Sequence, residues 1–351
     1  MLNRLIITLN QIVRPVMPIA VYPSIALTGA CVRDVTHDAQ AQFDAQMAIH
    51  QRYSTPILLS AMDLSVEAEA FGCALSQSDA EIPTVVGRLV TTLDEAKRLR
   101  VPEVGVGRTP IFLSTVSQLR HAYPTRPVLG GCIGPFSLAA RLTGVSESLL
   151  LTMTQPQLMH ALLEKCTSFL TRYLLAFRDH GADGVLMAEP AAGLLSPKSL
   201  REFSSVYVSQ IRESLERSVC GAVSDDNDGN DFTIVLHNCA AKLAHLPSIL
   251  ATGLRHFHFG VPMELAKAFA QVPEDVTLMG NLDPSAVFCL ATPEETYAKT
   301  AALLRENALA KRWVLSSGCD LPPETKLANL DAFFAAAKDG VGRAERTSLV
   351  A

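Results

Sequence analysis

The sequence predicts an α/β fold, a (β/α)8 TIM barrel with an insertion after the second strand, and three observations predict it. Short apolar, strand-like runs alternate with longer segments of helical spacing from one end of the 351-residue chain to the other. Eight such runs occur, and alternation of this kind implies parallel strands joined by helical crossovers. Nothing that reads as a linker divides the chain and no short-period repeat occurs, so residues 1–351 are expected to form a single barrel domain.

The runs, in order, are VMPIAVY (16–22), PILLSAMD (56–63), PVLGGCIG (127–134), DGVLMAE (183–189), FTIVLHN (232–238), HFHFG (256–260), VTLMGNL (276–282) and RWVLSSG (312–318). Helices are expected between them in DAQAQFDAQMAIHQRY, TTLDEAKRLR, QLMHALLEKCTSFLTRYLLAFRDHG, SPKSLREFSSVYVSQIRESLERS, EETYAKTAALLRENA and LANLDAFFAAAKDG, where apolar residues recur at helical spacing. The stretch 64–126 is longer than one strand–helix unit needs and contains EIPTVVGRL, so it reads as an excursion packed on the barrel, as does the N-terminal segment. VSDDNDGND (223–231) reads as an exposed loop leading into the fifth strand.

Composition narrows the classes. With 48% hydrophobic and 19% charged residues, the chain has enough apolar content for a large core. A net charge of -5 without clustered Lys and Arg leaves no footprint for a phosphate backbone, so no nucleic-acid partner is expected. The N-terminus MLNRLIITLNQIVRPVMPIA is interrupted by Asn10, Gln11 and Arg14 and does not read as a secretory signal, and no run of about 18 apolar residues suggests a membrane span. Eight cysteines dispersed through a long chain suit a reducing compartment, and the expected location is cytoplasmic.

In a barrel of this kind catalytic groups come from the C-terminal ends of the strands. Asp63 ends the second run and Glu189 the fourth; His237 and Cys239 stand at the end of the fifth, Asn281 and Asp283 at that of the seventh, and Cys319 at that of the eighth. His237 and Cys239 are an i, i+2 pair, so on an extended backbone both side chains point to one side. Imidazole nitrogen and thiolate sulfur suit Zn2+, Cys319 supplies a third ligand, and a His/Cys/Cys set leaves one position open for substrate. The alternatives are that His237 and Cys239 are separately packed strand-end residues, or that Cys239 and Cys319 act in redox chemistry without a CxxC motif. Asp63 reads as a helix cap or a catalytic carboxylate. Glu189 reads as a general base, a metal or substrate partner, or an acceptor for loop amides. Asp283 reads as a turn and helix start, the glycines of PVLGGCIGPFSLAA as places of close backbone approach, and His256 and His258 as core residues outside the metal set.

VLHNCA together with WVLSSGCDLPPETKLANLDAF resembles the methylcobamide:coenzyme M methyltransferases, a branch of the uroporphyrinogen decarboxylase superfamily. PILLSAMDLSVEAEAFGC, VLGGCIGPFSLAARLTG, GADGVLMAEPAAGLLSPKSLREF and VTLMGNLDP fall in the family's order, so the resemblance spans about residues 16 to 340. It implies the barrel fold and a zinc held by His237, Cys239 and Cys319. It also implies transfer of a methyl group from a methylcorrinoid of the cobalamin type, carried on a partner corrinoid protein, to a zinc-activated thiol such as coenzyme M. Under that resemblance Asp63 and Glu189 line the cavity above the metal, with Glu189 as a fourth ligand in the resting state or acceptor of the thiol proton, and Asn281 orients a substrate group. The chain departs from the pattern at Ala240, where the family commonly has Gly, and in the longer stretch 221–231. Two rivals share the fold: a uroporphyrinogen decarboxylase-like enzyme, for which YPSIALTGACVRDV offers only Arg33 as an early cation, and a non-catalytic corrinoid-binding accessory protein.

Overall fold

In the computed structural model, residues 3–220 and 232–348 are described. Nine strands occur among them: β1 Leu58–Leu59, β2 Ala74–Leu75, β3 Val85–Val86, β4 Val128–Ile133, β5 Gly184–Ala188, β6 Thr233–Asn238, β7 His256–Phe259, β8 Thr277–Leu282 and β9 Trp313–Ser317. Seven form one sheet in the order β1-β4-β5-β6-β7-β8-β9, every pair parallel. Sequential strands are neighbours, as short right-handed crossovers dictate. Apolar runs are what such strands need, because helices cover the outer face while side chains fill the inner one. Every residue of β4, β5, β6, β7 and β9 is buried.

The first apolar run departs from the expected strand. VMPIAVY joins the sheet through a single parallel bridge from Val16 to Leu315 of β9. Proline explains this. The Pro15 carbonyl accepts from Leu315 N at 2.9 Å and Met17 N donates to Leu315 O at 2.9 Å, but Pro18 has no N–H, and Ile19 N turns to the Ser317 hydroxyl at 3.1 Å. The sheet is curled. On the far edge the chain runs past β1 to Met62, whose carbonyl accepts from the Tyr22 hydroxyl at 3.0 Å, so the segment attached to β9 also touches the segment leaving β1.

Between β1 and β4 lie helices Val66–Ala70, Leu93–Arg98 and Thr109–Ala122 and the antiparallel hairpin β2–β3. EIPTVVGRL contributes the second strand of that hairpin, Val85–Val86. The expected loop 223–231 and the lengthening at 221–231 lie outside the described residues. The 24-residue helix Pro156–Asp179 shows how sequence sets packing: Leu158, Leu162, Cys166, Phe169, Tyr173 and Phe177 recur every three or four residues and are buried. Phe177 lies against Gly130 of β4, where an added Cβ would stand 2.6 Å from the ring, so the Gly-Gly of PVLGGCIG makes room for a packed helix. No described helix is long and apolar enough to cross a membrane.

Candidate metal centre

Because all seven strands are parallel, the polar residues that follow them share one edge of the sheet. His237 is the penultimate residue of β6 and is 3% exposed. Cys239 follows β6 directly, and Cys319 comes two residues after β9. In a flat sheet β6 and β9, with β7 and β8 between them, would be about 14 Å apart at ~4.8 Å per strand. Instead the ligating atoms of His237, Cys239 and Cys319 all lie within 4.8 Å of one another. Curvature and inward-pointing side chains bring them together across the interior.

A hydrogen-bond chain sets the proton on His237. The Ser316 hydroxyl donates its one hydrogen to Met17 O at 2.6 Å, so its oxygen accepts from His258 Nε2–H at 2.9 Å. His258 is fully buried, and burial, then the neighbouring His237, pushes its basicity well below the usual histidine range, so it is neutral. Its Nδ1 is then a bare acceptor, which takes the hydrogen of His237 Nδ1 at 2.8 Å. His237 Nε2 is left with a free lone pair, 3.4 Å from Cys319 Sγ. His258, which the sequence placed outside the metal set, is thus no ligand, but it fixes the tautomer that a ligand needs.

The donor set fits a zinc ion. Cys239 is held well below the ordinary thiol range chiefly by a hydrogen bond from Cys319, and Cys319, which holds the shared proton and is buried, is raised correspondingly. Both carboxyl oxygens of Asp320, beside Cys319, are buried without a hydrogen-bond partner, which suits a cation on that side. His258→Leu and Ser316→Ala should each weaken zinc binding about 10–100-fold, the usual effect of losing a ligand's hydrogen-bond partner. Competition with a chromophoric chelator measures this, and unchanged affinity in both variants would refute the role of the chain.

The predicted carboxylates stand on the same edge with most of their hydrogen-bonding capacity in use. Asp63 is buried; Ser65 donates to its Oδ1 through N–H at 2.9 Å and hydroxyl at 2.6 Å, and Arg108 Nη1 donates to Oδ2 at 2.5 Å. Arg108 continues to Glu69 at 2.7 Å and to the Ser65 hydroxyl at 2.8 Å. Glu189 accepts from Phe136 N, Ser137 N, the Ser137 hydroxyl and the Ser204 hydroxyl at 2.7–3.1 Å, anchoring the N-terminus of helix Pro135–Thr143. Burial raises its pKa despite those bonds. Asn281 donates through Nδ2 to Gly260 O at 3.0 Å and Met263 O at 2.7 Å, tying down the loop after β7. Asp283 accepts from Ser285 N and Ala286 N, the helix start that its sequence context suggested.

Two buried charged groups have no role in the sequence reading. Arg108, in the turn GVGRTP, carries the buried ion pair with Asp63. Glu67 is fully buried and desolvation pushes it up to about 8; Ile133 N donates to its Oε1 at 3.1 Å while Oε2 has no partner. The one available signal was VEAEA, where a helix turns Glu67 and Glu69 to different faces.

Fold and donor set together define a parallel α/β protein with a candidate His/Cys/Cys centre at the C-terminal edge of its sheet. The chain belongs to the uroporphyrinogen decarboxylase (URO-D) family, whose model matches residues 15–340. It is 27% identical over 281 residues, 79% of this chain and 78% of the relative, to methylcobamide:CoM methyltransferase MtbA of Methanosarcina acetivorans. It is 28% identical over 281 residues, 79% of this chain and 71% of the relative, to a methylated-thiol–coenzyme M methyltransferase of Methanosarcina mazei. A uroporphyrinogen decarboxylase of Hydrogenovibrio crunogenus is 25% identical over 293 residues, covering 82% of this chain and 79% of that protein. Among solved structures, a methyltransferase from Methanosarcina mazei superposes with a TM-score of 0.82 at 22% identity over 96% of this chain and 97% of the other, a likeness of fold.

Proposed function

We propose that this protein is a zinc-dependent methyltransferase that moves a methyl group from a methylated corrinoid, carried on a partner protein, to a thiol such as coenzyme M. The observation that carries this reading is the convergence of His237, Cys239 and Cys319 to within 4.8 Å, with a lone pair presented on His237 Nε2. The relatives named methylcobamide:CoM and methylated-thiol–coenzyme M methyltransferases support the same reading.

A thiol of pKa about 8.5 is mostly protonated at pH 7, and zinc held by His237, Cys239 and Cys319 would supply the charge that makes it a thiolate. The thiolates of Cys239 and Cys319 would neutralise the dication, so a substrate sulfur would keep electron density for attack on carbon. In the transfer a sulfur–carbon bond forms and the cobalt–carbon bond breaks, its electron pair staying on cobalt, which goes from Co(III) to Co(I). The thiol proton leaves before attack. Glu189, raised by burial, is the proposed acceptor or resting-state ligand at the open position. Asp63 acts through Arg108 to shape the wall, and Asn281 turns its carbonyl oxygen to substrate while its amide nitrogen holds the loop.

A corrinoid protein would dock on the C-terminal edge of the sheet. Support comes from exposed apolar side chains on three loops there: Leu194 after β5, Val261 after β7 and Leu290 after β8, at 56%, 50% and 76% exposure. We further read residues 1–351 as one barrel-like domain, its curled seven-stranded parallel sheet met by the first run at Val16, with the N-terminal segment and the 64–126 excursion packed on it, working in the cytoplasm. Cys31, Cys73, Cys132, Cys166, Cys239, Cys289 and Cys319 are free thiols, which agrees with a reducing compartment.

The rival readings are tetrapyrrole decarboxylation and passive corrinoid binding, and the decarboxylase relatives favour the first. Arg33, the early cation such a substrate would need, is 56% exposed and pairs with Asp79 at 3.8 Å. Mixing zinc-loaded protein with methylcobalamin and candidate thiols should convert the methyl-Co(III) spectrum to that of Co(I), and chelation of the zinc should stop it. Decarboxylation of a porphyrinogen without methyl loss to any thiol would overturn the assignment; bound corrinoid with neither reaction would leave the accessory role.

A further inference from the structure

The opposite edge of the sheet, where β1 and β4 begin, holds a cavity of about 280 Å3. Three segments wall it. Thr8, Gln11 and Ile12 come from the N-terminal helix Arg4–Gln11 and the residue after it, Pro56 from the turn into β1, and Thr125, Arg126 and Pro127 from the turn into β4. The metal ligands stand at the C-terminal ends of β6 and β9, so the parallel sheet sets this cavity at the far end of the strands from them. Its volume lies just under the usual span of about 300–1,000 Å3 for small-molecule sites, which leaves room for a small metabolite and none for a corrinoid.

The turn that carries Arg126 is held in place by a second arginine. Arg120, paired with Asp183, donates through Nη1 to Tyr123 O at 3.3 Å, Pro124 O at 3.0 Å and Arg126 O at 2.9 Å. Leu58 N donates to Pro127 O at 2.9 Å, which fastens the turn into β4 to the start of β1. The Arg126 guanidinium itself is nearly unengaged. Its Nη1 reaches Thr55 O at 3.4 Å, a carbonyl that already accepts from His50 Nδ1 at 3.1 Å. Among the described residues Nε and Nη2 have no partner, and no carboxylate pairs with this arginine. The side chains of Thr8, Gln11 and Thr125 likewise make no hydrogen bond to any described residue.

Four polar side chains thus line one cavity with their hydrogen-bonding capacity unused. No carboxylate lines it, and its fixed charge is a single guanidinium, so an anion is favoured over a cation. Nε and Nη2 form the side of the planar fork that takes two oxygens of one carboxylate or phosphate in parallel hydrogen bonds. Ile12, Pro56 and Pro127 add an apolar wall, and the two prolines have no N–H to offer, so that wall suits carbon.

We propose that this cavity binds a small organic oxyanion, its carboxylate or phosphate on Arg126 and its carbon body against Ile12, Pro56 and Pro127. Thr8, Gln11 and Thr125 complete the shell around the head group. The site serves binding and not turnover, since no carboxylate, histidine or cysteine lines it, and it is independent of the metal centre. A ligand there ties the N-terminal helix to the turns before β1 and β4, so occupancy stabilises the fold.

Calorimetric titration of the full-length protein tests this with benzoate, phenyl phosphate and benzamide, the last having the shape of benzoate without its charge. At least one of the two anions should bind about tenfold or more tightly than benzamide, the discrimination of a charge-assisted hydrogen-bonded pair, and should raise the unfolding midpoint as its concentration rises. The tighter anion identifies the head group as carboxylate or phosphate. Arg126→Gln should erase the preference by weakening the anions alone, and Arg126→Lys should retain part of it. Thr8→Val, which leaves the turn of Arg126 untouched, should weaken the anion about two- to tenfold, the effect of one hydrogen bond. Zinc-loaded and chelator-stripped protein should bind it equally, which separates the cavity from an anion held by the metal. Binding of neither anion more tightly than benzamide, undiminished anion binding in Arg126→Gln, or loss of binding on removal of zinc would overturn the proposal.

Discussion

Cys319→Ala should give a folded protein that no longer holds zinc at stoichiometry and no longer transfers methyl groups to a thiol. Cys319 lies at the end of a buried strand but is itself only partly buried, and its partners are His237 and Cys239, so its loss leaves the core intact. Without the metal a free thiol of pKa about 8.5 is only a few per cent ionised at pH 7, which alone slows attack roughly thirtyfold. Loss of positioning multiplies that deficit, so the total should exceed about a thousandfold. Metal analysis, circular dichroism and the corrinoid assay on one preparation provide the check. A variant with full zinc content and full activity would remove the cysteine from the centre.

Asp63→Ala should lower stability by at most about 3–5 kcal/mol, the usual penalty for breaking a buried ion pair, because Arg108 keeps Glu69 as a second carboxylate partner. Arg108 is 5% exposed at its side chain and Asp63 is 0% exposed, so neither charge has solvent to fall back on. Arg108→Met in the same chain removes the stranded cation and should recover a good part of the loss. Chemical denaturation of the single and double variants measures both steps. A loss of activity in Asp63→Ala with unchanged stability would instead assign Asp63 to the chemistry.

The contrast between these residues explains what was readable in the sequence. His237 and Cys239 announce themselves because an i, i+2 pair on a strand needs no tertiary information to converge. Cys319 could be placed with them only because a parallel α/β sheet puts all strand ends on one edge. His258 is different. Its role depends on the register that sets His237 opposite His258 on adjacent strands, and register is a property of the assembled sheet. Arg108 and Asp63 are separated by 45 residues and meet through an excursion whose path periodicity does not reveal. The first run departs from a strand for a local reason present in the sequence: prolines at 15 and 18 lack the donors that a ladder requires.

The hydrogen-bond chain from Met17 through Ser316 and His258 to His237 also governs the order in which this centre is completed. It joins residue 17 to residues 316 and 319, nearly the whole length of the polypeptide, so a nascent chain emerging from the ribosome carries the imidazole long before it carries the last sulfur. Only when the ninth strand has docked beside the N-terminal segment do the lone pair of His237 and the sulfur of Cys319 coexist in place. A chain truncated before its final strand therefore lacks one of the three donors of the proposed centre and the partner that Ser316 gives His258.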